Sequence, residues 1–134
     1  LAPTIRLVKG AYMEPPEIAY RNKGDVDNNF LRLSDTLLQE VKRGNARIFF
    51  GTHDQSMIDG VIERARGMGV PRDGFEIQML YGIRREAQAR LTGDGYKVRV
   101  LISYGDSWFP WYMRRLAERP ANVLFLARNI ISRR

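Results

Sequence analysis

Short β-rich runs alternate with stretches of helical periodicity along this chain, and the alternation divides it into four strand–helix pairs. Residues 4–8, Thr-Ile-Arg-Leu-Val, form the first strand, which stops at Lys9-Gly10 and gives way to a loop through Pro15 and Pro16. The first helix is expected to start at Asp27, a favourable N-cap, and to run to Gly44, a favourable residue just past a helix end. Within it Phe30, Leu33, Leu37, Leu38 and Val41 recur at the three-four spacing of one buried face. Residues 46–50 form the second strand, closed by Thr52-His53-Asp54. Asp54 then caps a helix carrying Met57, Ile58, Val61, Ile62 and Ala65, which ends at Gly67 or Gly69. The third strand, residues 75–80, stops at Tyr81-Gly82 before a polar helix over residues 84–91. Residues 97–102 form the fourth strand, ended by Ser103, Tyr104, Gly105 and Asp106. A last helix begins near Trp108 and must break before Pro120, and the apolar residues 121–131 are expected to dock as a helix on the outside.

The order βαβαβαβα predicts an α/β fold with a parallel sheet covered by helices. A complete eight-fold barrel needs about 250 residues, and this chain has 134. Two architectures fit: a small doubly wound domain, or half of a barrel. Periodicity alone does not choose between them.

Composition narrows the chemistry. Hydrophobic residues make up 44% of the chain, enough for one packed domain, and no apolar run approaches the ~20 residues that cross a bilayer. The first residues, Leu1-Ala2-Pro3-Thr4, do not read as a signal peptide. With no cysteine there is no disulfide framework, thiolate site or nucleophilic thiol, and with one histidine a multi-histidine metal centre is ruled out. The net charge of +7 invites a nucleic-acid reading, but the basic residues are scattered, and their tightest groups are pairs such as Arg84-Arg85, Arg114-Arg115 and Arg133-Arg134. Isolated arginines suit a compact anion, a carboxylate or a pyrophosphate, better than a polyanion. No Gly-x-Ser-x-Gly elbow, phosphate-binding Walker loop or Gly-x-Gly-x-x-Gly fingerprint is present.

In a parallel α/β sheet the ligand site forms at the carboxyl ends of the strands. That rule brings together Lys9-Gly10-Ala11, Thr52-His53-Asp54, residues 78–82 and residues 103–106. Arg6 lies within a strand, either on an exposed or ion-paired face or aimed as a cation into a barrel mouth. His53, the one imidazole, either caps the strand end or hydrogen-bonds a ligand. Arg114 and Arg115 point about 100° apart on a helix, and Glu118 lies within ion-pair reach of both. They form either a solvated charged turn or a clamp for a carboxylate. Trp108, Phe109, Trp111 and Tyr112 before them are core residues or the roof of an apolar pocket.

The segments RLVKGAY (6–12), GTHD (51–54), FEIQMLYG (75–82), VRVLISYGDSWFPWYMRRLAERP (98–120) and ANVLFLARN (121–129) resemble, in order and across nearly the whole chain, bacterial proline dehydrogenase of the monofunctional type. The resemblance implies a distorted (βα)8 TIM barrel of which residues 1–134 form the C-terminal half, strands five to eight. It also implies that the missing N-terminal half supplies further substrate and catalytic residues, so that the segment alone is inactive. The implied activity is FAD-dependent oxidation of L-proline to Δ1-pyrroline-5-carboxylate, with electrons passed to a quinone. The expected location is cytoplasmic, with peripheral association at the inner face of the membrane, and no nucleic acid is involved. By the same resemblance Arg6 is a catalytic residue near the flavin. Lys9, Gly10, Ala11, Thr52, His53 and Glu118 contact the cofactor, while Arg114, Arg115 and Leu80 contact the substrate, with no metal. Leu101 and Trp111 stand where family members often carry tyrosine, which leaves hydroxyproline as an alternative substrate. A half-barrel fragment without activity is the other alternative.

Overall fold

The computed structural model describes residues 2–9, 14–106, 108–110 and 113. The chain divides into two compact units, one of Leu1–Lys9 with Pro15–Leu101 and one of Gly10–Glu14 with Ile102–Arg134. In the first unit the elements are β1 (Thr4–Val8), α1 (Lys23–Lys42), β2 (Arg47–Gly51), α2 (Gln55–Met68), β3 (Phe75–Leu80), α3 (Arg85–Gly93) and β4 (Lys97–Leu101). All neighbouring strands pair in parallel, in the order β1-β2-β3-β4.

That order decides the question periodicity left open. A doubly wound sheet reverses its winding and covers both faces with helices. Here each strand is added beside the last without reversal, and right-handed crossovers wound in one direction put every helix on the same side. Ile48 and Phe50 of β2 and Phe75, Ile77 and Met79 of β3 are buried on that side. They pack with Phe30 and Leu38 of α1, Met57, Ile58, Val61 and Ala65 of α2, and Leu91 of α3. Edge-on aromatic contacts run through this layer from Phe30 to Phe50 (6.3 Å) and from Phe50 to Phe75 (5.6 Å). Sequential strands with helices on one face are an arc of a barrel.

The opposite face is polar. Register aligns Arg6, Phe49, Glu76 and Lys97 in one row and Val8, Gly51, Gln78 and Arg99 in the next. Arg99 grips Glu76 with two hydrogen bonds of 2.6 and 2.9 Å, and the Gln78 amide donates to the same carboxylate at 2.7 Å. The Arg99 guanidinium thereby holds the Glu76 carboxyl below the usual range. Arg47 and Arg99 each lie 5.9 Å from the Phe49 ring centroid, so this aromatic ring has two cationic neighbours.

Local signals account for most boundaries. Gly44, Gly69 and Gly95 all take left-handed φ (74°, 72° and 86°) and turn the chain out of the three helices towards the next strand. The first helix departs from expectation: it starts at Lys23, one turn before Asp27, with Asn22 as its N-cap. Asp27 is not free to cap, because its carboxylate is held by Lys9 and, at 2.6 Å, by Lys23 one turn earlier. Leu33 is half-buried and lies outside the core cluster; the buried position beside it is Ser34, whose hydroxyl donates to the Phe30 carbonyl at 2.8 Å.

In the second unit residues 108–110 and 113 are helical, as expected for a helix beginning near Trp108. The Trp108 N–H donates to the Gly105 carbonyl at 3.2 Å, and the Trp108 and Phe109 rings meet edge-to-face at 5.6 Å. The expected break before Pro120 and the apolar stretch 121–131 lie outside the described residues.

Candidate active site

Because the strands are parallel, the loops after β1, β2 and β3 emerge along one edge of the sheet, and their polar residues meet there. Lys9, directly after β1, is buried. Its ammonium is hydrogen-bonded to Asp54 at 2.7 Å and paired with Asp27. Asp54 is the N-cap of α2, its other oxygen accepting from the Ser56 N–H at 3.2 Å and the Ser56 hydroxyl at 2.7 Å. Lys23 completes the group, 3.7 Å from Asp54. Burial pushes the Asp54 carboxyl upward, but hydrogen bonds from Lys9 and Ser56 and the charges of Lys9 and Lys23 outweigh it, leaving the carboxyl well below the ordinary range. Asp27 is lowered against the same opposing burial by Lys23 and Lys9. A strand end, the first turn of α1 and the N-terminus of α2 are thus joined by four alternating charges.

Thr52 is buried, and its hydroxyl accepts from the Asp54 N–H at 3.1 Å, closing the turn between β2 and α2. His53 is half-buried; its Nε2 accepts from the Leu80 N–H at 3.3 Å across to the end of β3. That bond requires Nε2 to be unprotonated, so the neutral ring carries its proton on Nδ1. The β2 loop is therefore tied on one side to Lys9 and on the other to Leu80.

Arg6 sits one residue pair earlier, exposed on the helix-free face. Its side chain crosses the backbone of β2 at Gly51: a Cβ there would stand 3.2 Å from Arg6 Nε and 3.3 Å from its terminal nitrogen, with Val8 equally near at 3.2 Å. A glycine at this position lets the guanidinium lie close against the strand. Leu80 and Leu101 are register partners at the ends of β3 and β4 and extend the same face with apolar surface.

Of the residues singled out in the sequence, Lys9, Thr52, His53 and Leu80 come together at this edge, and Arg6 lies on the adjoining face. Gly10, Ala11, Arg114, Arg115 and Glu118 lie outside the described residues, and residues 103–106 belong to the second unit. Sequence reasoning put Asp54 at the same strand-end edge as Lys9 but missed the pairing of Lys9 with Asp54 and Asp27, the latter read only as a helix cap. It also missed Glu76 and Arg99, although strict alternation in Phe-Glu-Ile-Gln-Met and Lys-Val-Arg-Val signals one polar face on each strand. Gln88, considered below, carried no such signal.

Comparison with known proteins places this geometry. The sequence profile of the proline dehydrogenase family matches residues 2–128. The chain is 45% identical over 131 residues to a proline dehydrogenase of Deinococcus radiodurans, covering 98% of this chain and 41% of that protein. To proline dehydrogenase 2 of Bacillus subtilis it is 42% identical over 125 residues, 93% of this chain and 40% of the relative. It thus spans about two fifths of the length of these curated relatives. Among solved structures it superposes with a TM-score of 0.74 on proline utilization A from Bdellovibrio bacteriovorus inactivated by N-propargylglycine. That match has 28% identity over 85% of this chain and 13% of the other. A one-directional parallel sheet, a matching profile over nearly all its residues and relatives of one kind lead to one conclusion: the chain belongs to the proline dehydrogenase family.

Proposed function

We propose that the full-length protein carrying these residues oxidises L-proline to Δ1-pyrroline-5-carboxylate at a bound FAD, and that residues 1–134 supply strands five to eight of its barrel. The observation that carries this reading is Arg6 laid across Gly51 on the helix-free face, with Thr52 and His53 directly after it, in a chain of this family. The fit to a flavin is electrostatic: the Arg6 guanidinium, packed with Val8 over Gly51, sets an exposed cation on the helix-free face.

FAD, when bound, supplies the two-electron acceptor. Arg6 presents positive charge where negative charge accumulates on reduction. Thr52 and His53, with Gly10 and Ala11, line the cofactor, and Glu118 adds a contact. Lys9 acts at this site by holding its loop against α1 and α2, its ammonium lying between two carboxylates. Arg114 and Arg115 take the substrate carboxylate in a charge-assisted clamp, orienting the ring. Leu80, next to Leu101, gives the ring an apolar wall. N-propargylglycine, the inactivator of the Bdellovibrio protein, shares with proline a secondary amine beside a carboxylate, which supports a substrate of that class. The reading extends to a quinone as electron acceptor and to a cytoplasmic protein meeting the membrane peripherally. Among the described residues no helix is long and apolar enough to cross a membrane.

The test is made on purified full-length protein. Anaerobic L-proline is expected to bleach a flavin absorbance band, with faster turnover than hydroxyproline. Arg114→Ala and Arg115→Ala should each raise KM for proline about tenfold or more, the equivalent of ~1.5–3 kcal/mol for a charged hydrogen bond. A colourless protein, or an unchanged KM in both variants, refutes the proposal at the cofactor or at the carboxylate respectively.

A further inference from the structure

The carboxyl end of β3 is secured by a residue that no strand-end motif announces. Gln88, half-buried in α3, donates from Nε2 to two carbonyls, Leu80 at 3.2 Å and Ile83 at 2.8 Å. A side-chain amide nitrogen has two hydrogens, so one group serves both ends of the turn. At the same residue the Leu80 N–H donates to His53 Nε2 at 3.3 Å. Both backbone polar groups of Leu80 are therefore engaged by side chains, one from the β2 loop and one from α3. The turn needs such support. Gly82 has φ 81°, and Arg84, the residue before α3, has φ 52° and ψ 49°, a left-handed conformation that persists in a non-glycine residue only where its surroundings impose it.

We infer that Gln88 is a positioning residue for the substrate: its amide fixes the direction in which Leu80 leaves the strand, and with it the apolar wall against which the proline ring lies. The inference rests on the proposed role of Leu80 at the substrate. The chemistry singles out the amide. Glutamate at this position keeps the shape but sets a carboxylate oxygen against two carbonyl oxygens, and methionine keeps the length with no donor.

Full-length Gln88→Glu, Gln88→Met and Leu80→Ala are compared with the parent protein in steady-state oxidation of L-proline by a dye acceptor, together with flavin content and thermal midpoint. Both Gln88 variants are expected to raise KM about five- to tenfold, with kcat within twofold and flavin content unchanged. Gln88→His, which keeps a single ring N–H, should fall between them and the parent, and stands in if the others fail to fold. A KM within twofold of the parent in folded Gln88 variants, while Leu80→Ala raises it, overturns the inference and leaves the role of Leu80 standing. No effect of Leu80→Ala overturns that role, and the inference with it. Loss of flavin and kcat together at unchanged KM, or failure of all three Gln88 variants to fold, makes Gln88 purely structural and also overturns the inference.

Discussion

At the scale of single residues, the site depends on what is missing at Gly51. Arg6 and Val8 both approach the point where a Cβ would lie, at 3.2 Å each, closer than ordinary van der Waals contact. Gly51→Ala is expected to push the Arg6 guanidinium off the strand at a stability cost of about 1 kcal/mol. On the proposed role of Arg6 beside FAD, displacing its charge should lower kcat about tenfold, ~1.4 kcal/mol of transition-state stabilisation. Stopped-flow reduction of the flavin by L-proline, alongside thermal unfolding, measures the two effects separately. A variant that reduces at the parent rate would show that Arg6 acts, if at all, from another position. Neither Arg6 nor Gly51 reveals this relation in sequence, because it arises between adjacent strands 45 positions apart in the chain.

At the scale of elements, the charges around Lys9 splice the end of β1 to the starts of α1 and α2. Lys9 is buried, and Asp27 and Asp54 are largely so, which makes the pairing costly to break from one side. Lys9→Met removes the buried cation and leaves the two carboxylates only the exposed Lys23, and should destabilise the fold by about 3 kcal/mol. Adding Asp27→Asn to Lys9→Met should return part of that loss by removing the repulsion. The pH dependence follows from the sign of the shifts. Both aspartates titrate below their unfolded value when folded, so the unfolded chain binds protons first as the solution is acidified. Their contribution is complete above about pH 5 and is lost as pH falls through ~4 and below. Thermal midpoints of the parent should therefore drop between pH 5 and 3 more steeply than those of Lys9→Met/Asp27→Asn. Equal slopes would mean that these carboxylates are not linked to stability. The helices themselves were legible from spacing and glycine, while the one-turn error at Asp27 came from a residue recruited by a partner 18 positions away.

At the scale of the whole molecule, β1 and β4 are the outer strands of the described sheet, each with one edge that no described strand pairs. An arc with two open edges invites pairing with another chain. Residues 1–134 produced alone are expected to associate or aggregate, and co-expression with the remainder of the barrel should yield a soluble complex that retains flavin. Size-exclusion chromatography with absorbance detection reads both results, and a stable colourless monomer of the segment would contradict the barrel reading. The sequence by itself determined the element order, the strand positions and the parallel sheet, because periodicity, capping residues and turn glycines act over a few positions and survive as local patterns; the family came from the resemblance of its motif segments. The sequence also named Lys9, Thr52, His53 and Leu80 as residues of one edge, since parallel strands with intervening helices leave that edge no other composition. Periodicity left a doubly wound sheet open, while the family resemblance implied half a barrel, which the strand order bears out; only the tertiary structure put Lys9 between Asp27 and Asp54, laid Arg6 over Gly51 and brought Gln88 to Leu80. These depend on strand order and on distances between segments remote in the chain, and neither is written in any local pattern.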